Sequence, residues 1–310
     1  MSAKRILLIA NPASGQHRGE RRLAQASERL ASLGHAVTAV LTESAGHATR
    51  LAKSNAPDFE IIAALGGDGT VNEVANGLMA VEPGERPTLA TLPVGTGNDV
   101  ALTYGLAHFE SAIDALAKGS TRTLDVIRVQ LMRDGKSVTR HALLFVAAGF
   151  AAEVIRKTGP RVKRIFGRRF SYSVGLFRAL ASFRAPEFSV KWDGGETSGR
   201  MFQVCAGNTE FAAGGVMRIS PGARPDDGLL NISLVDALGR LQIVRRFPSI
   251  LSGRYVEDER VDYFTGKRLE IDAVPPAEFQ ADGDIIGTTP ATIELLPGAL
   301  KLVVHDQFQV

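Results

Sequence analysis

The sequence predicts an α/β fold in two domains: a mostly parallel sheet with helices on its faces, then a β-rich half. Three observations predict it. Apolar strand patterns alternate with helical ones as far as about Leu124, strand-like runs and hairpin turns dominate afterwards, and 310 residues exceed one ordinary domain of roughly 100–200.

The elements follow in order. Lys4 to Asn11 is a buried strand closed by Asn11-Pro12, and Leu23, Ala26, Leu30 and Leu33 recur at helical spacing before Gly34. Ala36–Leu41 is a second strand and His47–Asn55 a helix stopped by Pro57. Ile61–Leu65 is a third strand, Val71–Met79 a helix, and Thr88–Leu92 a fourth strand. Beyond Leu124, strands are expected at Leu124–Leu131, His141–Ala147, Glu187–Trp192, Met201–Ala206 and Leu229–Val235. Asp134-Gly135 and Asp193-Gly194 read as hairpin turns, and Tyr172–Phe183 and Arg240–Leu251 as inserted helices. The change of texture puts the domain boundary near Asp125, giving 1–125 and 126–310.

Composition narrows the function classes. The single cysteine, Cys205, excludes a disulfide scaffold and any multi-cysteine metal site. A formal charge of +3 is too small to argue for nucleic acid. The longest central apolar run, Ala142–Ala152, falls short of the ~20 residues a bilayer span needs. Lys4 and Arg5 precede only Ile6–Ala10, too short for a signal peptide, so a cytoplasmic chain is expected. No H-x-x-x-H, H-E-x-x-H, Walker A or G-x-G-x-x-G pattern occurs.

The sharpest motif is Gly66-Gly67-Asp68-Gly69-Thr70, between a strand and a helix. Glycines let backbone approach a ligand, and a helix start offers free N–H groups to phosphate. Asp68 there makes sense if Mg²⁺ lies between carboxylate and phosphates; the plain alternative is a tight turn with Asp68 or Thr70 as helix cap. Pro93–Asp99 repeats this chemistry after the fourth strand, and Asn11–Gly15 is a third such loop after the first. In parallel sheets ligands bind at the carboxyl ends of strands, where all three loops fall.

These residues carry a family resemblance. The Asn11–Gly15 loop, GGDGTVNEVANGL at Gly66–Leu78 and LPVGTGNDVA at Leu92–Ala101 closely resemble the diacylglycerol kinase catalytic-domain family, relatives of sphingosine and ceramide kinases. Leu124-Asp125, the turn Ser220–Leu230 and Gln280–Asp284 resemble later family segments in the family's order. The resemblance implies a Rossmann-like, NAD kinase/diacylglycerol kinase-like nucleotide domain, a β-sandwich domain and an active site in the cleft between them. It leaves room for the last strand to return to the first domain.

The resemblance also implies roles. Asn11, Pro12, Ser14, Gly15, Gly66, Gly67, Asp68, Gly69, Thr70, Val71, Asn72, Thr96 and Thr42 would contact ATP; Thr42 reads equally as a helix cap. Asp68, Asp99 and Asp125 would share a catalytic Mg²⁺ and its waters. Asp282 is favoured as general base, with Asp284 as rival, since Asp284 stands where the family usually has a longer glutamate. Asp227, with the carbonyls of Arg224 and Leu229, would hold a second, structural Mg²⁺ or Ca²⁺; a plain Asp-Asp-Gly turn is the alternative.

Arg156–Arg169 holds seven Lys/Arg among fourteen residues and no acid, with Val162, Ile165 and Phe166 interleaved. It reads as a segment that docks on an anionic membrane surface, as a solvated loop or as a nucleic-acid patch. The leading expectation is an ATP- and Mg²⁺-dependent kinase of a diacylglycerol-like lipid, cytoplasmic, peripherally membrane-associated and compatible with a homodimer. The rivals are a NAD kinase, which also uses a GGDGT loop, and a catalytically silent nucleotide- or membrane-binding module. The GTGNDVA loop and the Asp227 turn speak against the first, and the retained Asp68, Asp99, Asp125 and Asp282 against the second.

Overall fold

The computed structural model describes residues 3–15, 18–95, 97–158 and 174–306. In the first half, strands β1 (Arg5–Ala10), β2 (Ala36–Leu41), β3 (Ile61–Gly66) and β4 (Thr88–Pro93) lie parallel in the order β4-β3-β1-β2. Their apolar residues alternate between two buried faces. Ile6, Leu8, Ala63 and Leu65 pack with Leu23, Ala26 and Leu30 of α1 (Gly19–Ser32) and with Phe109, Ile113 and Leu116 of α5 (Phe109–Lys118). Leu7, Ile9, Ile62 and Ala64 face Ala48 and Ala52 of α2 (His47–Asn55) and Val71, Val74 and Leu78 of α3 (Asp68–Met79). A strand buried on both sides reads as a continuous apolar run, which is why β1 and β3 were plain in the sequence. The short helix α4 (Asp99–Thr103) follows the loop after β4.

The second half is antiparallel. One layer comprises β8 (Glu187–Trp192), β14 (Arg268–Val274), β16 (Asp284–Val303), β5 (Thr121–Arg133) and β6 (Lys136–Ala142). The other comprises β13 (Val261–Gly266), β12 (Leu230–Asp236), β9 (Gly195–Gly207), β7 (Phe145–Gly149) and β15 (Glu278–Ala281). Ile127, Val129, Phe188, Val190, Val204, Ile232, Leu269, Phe279 and Ile293 fill the space between. The layers join because β9 also pairs with β8 and β16 also pairs with β15. A register shift between Thr288 and Ala291 lets β16 bend from one layer to the other. The far end of β16 reaches the first sheet, where Leu302 pairs with Leu89 of β4.

Helices α6 (Phe150–Lys157), α7 (174–182) and α8 (Arg240–Ser252) flank this half. A small hairpin, β10 (Phe211–Ala212) and β11 (Met217–Arg218), projects from it. The turns at Asp134-Gly135 and Asp193-Gly194 are hairpin tips, as expected, with Arg133 opposite Lys136 and Trp192 opposite Gly195. Two expectations are corrected. Helix α3 begins at Asp68, three residues before Val71, because Gly67 takes the extended cap conformation and the glycine-rich loop supplies the first turn. The run His141–Ala147 is two strands, broken at Leu143 and Leu144, whose backbone N–H groups turn to a side chain described below. Helices α5 and α6 and strands β13 to β16 had no counterpart in the sequence reading. Cys205 is buried, and burial pushes its thiol up to about 12, consistent with an inert core residue.

Candidate functional site

The carboxyl ends of β1, β3 and β4 bring the three glycine-bearing loops together. Asn11 N–H donates to the Leu65 carbonyl, and Thr42, just past β2, donates to the Ala10 carbonyl. Val94 and Gly95 both donate to the Gly66 carbonyl. A Cβ on Gly95 would lie 2.6 Å from Gly67 Cα, so only glycine lets these two loops stack. Gly15 has φ +60°, and a Cβ there would meet the Val94 carbonyl at 2.4 Å. The Asn11–Gly15 loop is closed by Asn11 itself: its Oδ1 accepts from Ala13 N–H and its carbonyl from Ser14 N–H. Thr96 lies outside the described residues, so its expected nucleotide contact has no geometry here.

Asp68 opens helix α3, and its Oδ1 accepts from Val100 N–H at 3.1 Å. Asp99 opens α4 and reaches across to the small hairpin, where its Oδ1 accepts from Gly214 and Gly215 N–H at 2.6 and 3.2 Å. The two carboxylates flank bare backbone, since a Cβ on Gly97 would stand 3.0 Å from Asp68 Oδ2 and 3.8 Å from Asp99 Oδ2. Burial raises the Asp68 carboxyl; burial and then the Asp68 charge raise that of Asp99. Among the described residues neither forms an ion pair.

Asp125 is placed differently. It is buried on β5, and its Oδ2 and Oδ1 accept from the N–H groups of Gly228 and Gly298 at 2.7 and 2.8 Å. Its own N–H donates to Pro225, so it ties the 224–229 turn to β5. Asp227 in that turn is exposed, and its Oδ1 accepts from Leu229 N–H at 2.9 Å. Arg224 is exposed and stands 3.7 Å from Asp226 Oδ1. Among the described residues no group of three His, Cys, Asp or Glu side chains is arranged to hold a metal ion.

Asp282 and Gly283 form the two-residue turn between β15 and β16, with φ +46° and +89°. Positive φ at both positions is the type I′ pattern that matches strand twist. The Asp282 carboxylate is no solvated turn group. Its Oδ1 accepts from Leu144 and Phe145 N–H, and its Oδ2 from Leu143 N–H and Asn72 Nδ2, all within 2.7–3.0 Å. The break between β6 and β7 thus exists to feed one carboxylate. Burial pushes its carboxyl up to about 6, against the downward pull of those four donors. Asp284 is exposed at the first residue of β16.

Asp68, Asn72 and Asn76 are spaced four apart, which puts them on one face of α3. That face meets β6. Asn76 Oδ1 accepts from His141 N–H and its Nδ2 donates to the His141 carbonyl, both at 2.9 Å, as a neighbouring strand would. The same Nδ2 lies 3.0 Å from Asn72 Oδ1 and so turns the Asn72 amide toward Asp282. Asn76 and Glu73 escaped the sequence reading, which stopped at Asn72. Glu73 accepts from Gly46 and Ala48 N–H, capping α2 from across the interface. The four-residue spacing of two asparagines after the glycine loop was the available signal for Asn76.

Stacked glycine loops on an α/β sheet, facing a half-buried, fully hydrogen-bonded carboxylate on an antiparallel domain, define a protein with a kinase-type catalytic domain joined to a β-sandwich. Residues 5–129 match the diacylglycerol kinase catalytic domain, and residues 144–304 match the YegS C-terminal NAD kinase beta sandwich-like domain. The chain belongs to the diacylglycerol kinase family. It is 28% identical to the diacylglycerol kinase of Bacillus subtilis strain 168 over 93% of this chain and 92% of that one. It is likewise 28% identical to that of Staphylococcus aureus strain bovine RF122 / ET3-1, over 93% and 88%. The crystal structure of a diacylglycerol kinase from Bacillus anthracis str. Sterne superimposes with a TM-score of 0.75 at 25% identity, covering 99% of this chain and 98% of the other. The family expected from the three loops is thus the family that matches. No described helix is long and apolar enough to cross a membrane.

Proposed function

We propose that this chain transfers the γ-phosphoryl group of ATP to the hydroxyl of a diacylglycerol-like lipid, with Mg²⁺, in the cleft between a Rossmann-like domain (1–125) and a β-rich domain (126–310). The observation that carries the reading is the 3.0 Å bond from Asn72 Nδ2 to Asp282 Oδ2. It joins the helix that begins at the glycine loop to the one carboxylate that the second domain is built around.

The residues suit a hard cation. Asp68 and Asp99 are adjacent oxygen donors whose burial and mutual repulsion are relieved by a positive ion, and water and phosphate oxygens would complete its shell. Such an ion would neutralise charge on the phosphates. The first turn of α3 would offer the Gly69 N–H to the same phosphates, those of Thr70 and Val71 donating to the Gly67 carbonyl. The Asn11–Gly15 loop and Thr42 bound the nucleotide on the β1 and β2 side. Asp125 acts from behind, holding the 224–229 turn; Asp227 and the carbonyls of Arg224 and Leu229 would take a structural Mg²⁺ or Ca²⁺.

Asp282 is the general base of this reading. A carboxyl near 6 is largely ionised at neutral pH yet able to accept a proton. A carboxylate has about four lone-pair sites, and all are used. Three of the donors are backbone and fixed; the Asn72 amide is the one donor on a side chain. A lipid hydroxyl that displaces that amide takes its place on Oδ2, and Oδ2 receives the hydroxyl proton. Asp284 remains the competing carboxylate, closer to solvent. Incubation with labelled ATP and a lipid panel, with NAD as control, tests the function. Labelled lipid phosphate is expected; phosphorylation of NAD alone, or of nothing, would overturn the proposal.

A further inference from the structure

Helix α8 carries two apolar stripes. Ile243 faces the body, packed with Phe150, Phe202 and Val235. The other stripe, Leu241, Val244, Pro248 and Leu251, recurs at i, i+3, i+7 and i+10 and faces solvent, with Leu241, Val244 and Leu251 exposed to 70%, 54% and 40%. Helical spacing makes this one continuous face. A soluble helix ordinarily turns charge outward at such positions. Here Arg240 and Arg245 flank the stripe, both exposed, and α8 contains no acidic residue. Helix α7 extends the surface. Arg240 Nη2 donates to the Ala181 carbonyl, and Phe177, exposed to 69%, and Arg178 stand out from the described part of α7.

We propose that this α8 face, extended by Phe177 and Arg178, is the surface through which the protein lies on an anionic lipid bilayer. Exposed aliphatic side chains on a helix that carries arginines and no acid match the boundary between acyl chains and anionic headgroups. An acidic protein partner would satisfy the arginines but would leave a four-position apolar stripe without a reason to be continuous.

The face is also tied to the site. The C-terminal end of α8 sits on β11: a Cβ on Gly253 would touch Arg218 Cδ at 2.7 Å. The β10–β11 hairpin is held at its tip by Asp99, through Gly214 and Gly215, and presents Val216 to solvent. A bilayer against α8 therefore lies beside the hairpin that roofs the Asp68–Asp99 pair. The choice of occupant rests on the lipid-kinase reading. The proposal does not draw on the basic segment 156–169, of which residues 159–169 lie outside the described residues.

Vesicle sedimentation of the full chain tests it, using phosphatidylcholine with and without phosphatidylglycerol. The wild type is expected to sediment with anionic vesicles only, less so as salt rises. L241Q/V244Q/L251Q should bind at least tenfold more weakly, and R178Q/R245Q about five-fold more weakly per arginine at low salt. Phosphorylation of a short-chain soluble diacylglycerol should be unchanged in both. Unaltered vesicle binding by the triple variant would overturn the proposal, as would a wild-type dimer that the triple variant dissociates while vesicle binding persists. Should the triple variant fold poorly, V244C labelled with an environment-sensitive dye reads the same contact, because Cys205 is buried and escapes labelling. A blue shift on anionic vesicles is expected, and an unmoved spectrum would overturn the proposal. Absence of wild-type activity on the soluble lipid would instead defeat the lipid-kinase reading, leaving sedimentation to judge the surface.

Discussion

The carboxylates of this protein are handled in two opposite ways. Asp68 and Asp99 accept their side-chain hydrogen bonds on Oδ1 and turn Oδ2 toward the bare backbone of Gly97, and the Asp68 charge adds to burial in raising the Asp99 carboxyl. Asp282 and Asp125 have both oxygens engaged by protein N–H groups. The first pair is a site left electrostatically incomplete, which a cation would complete. The second pair is complete within the protein and holds loops in place. Tyr104, fully buried, lies within reach of Asp282, Asp125 and Asp226, whose charges add to burial in raising its phenol. Sequence motifs present all four aspartates alike; the donors around them separate the roles.

The largest effect expected from breaking this contrast is at Asp68. Asp68→Asn should abolish turnover, because an amide keeps the shape but removes half the charge that attracts the cation. Without added divalent ion its melting temperature should match the wild type. Near-normal activity at limiting Mg²⁺ would place the cation elsewhere.

Asp282→Asn should lower kcat by about 10²–10⁴, the usual worth of a general base, with KM for ATP little changed. The wild-type kcat/KM should rise with pH through about 6 as this carboxyl ionises. Its contribution to stability runs the other way. The folded chain holds this proton up to about 6, whereas an unfolded aspartate releases it near 3.8. Stability therefore falls as pH climbs between those values, and the asparagine variant should lose that slope. If Asp284→Asn erases the activity limb while Asp282→Asn keeps it, the roles are reversed.

A smaller loss is expected at Asn76, which touches neither reacting partner. Asn76→Ala frees the Asn72 amide and unpairs His141, so kcat should fall about 10–100-fold by misplacement. KM for ATP and the pH limb near 6 should stay. A shifted limb would mean that Asn76 sets the proton affinity of Asp282 and not merely the position of Asn72.

These residues also mark what the sequence made legible. The parallel strands and their glycine loops could be read because burial on both faces and close backbone approach impose local signatures, as at Ile61–Gly66 and Gly95. The four donors of Asp282 could not. They come from Leu143, Leu144, Phe145 and Asn72, at least 137 residues away in the chain, and the first three lie in an unbroken apolar run. Strands β13 to β16 were missed as well. Strand β14 nevertheless carries a legible signal, since Arg268, Glu270 and Asp272 on its exposed face alternate with the buried Leu269, Ile271 and Ala273. Helix α8 was found, but helical spacing alone could not tell that one of its two apolar stripes faces water.

The smallest expected effect tests whether the second aspartate turn is also incomplete. Asp227 is exposed and makes one local bond, to Leu229 N–H. Losing that bond alone costs about 0.5–1.5 kcal/mol, independent of any ion. If the turn binds Mg²⁺ or Ca²⁺ only when folded, the ion adds about 2.7 kcal/mol at a concentration one hundred times its Kd. For a protein larger than about 150–250 residues, each kcal/mol moves Tm by no more than about 2–4 °C. The wild type should therefore melt a few degrees higher as divalent ion is added, and Asp227→Ala should melt lower and lose the part of that response owed to the turn. The Asp68→Asn variant is the necessary companion, since an ion at the Asp68–Asp99 pair would also raise Tm. A response that survives in Asp227→Ala but vanishes in Asp68→Asn assigns the stabilising ion to the Asp68–Asp99 pair and leaves the 224–229 turn held by Asp125 alone.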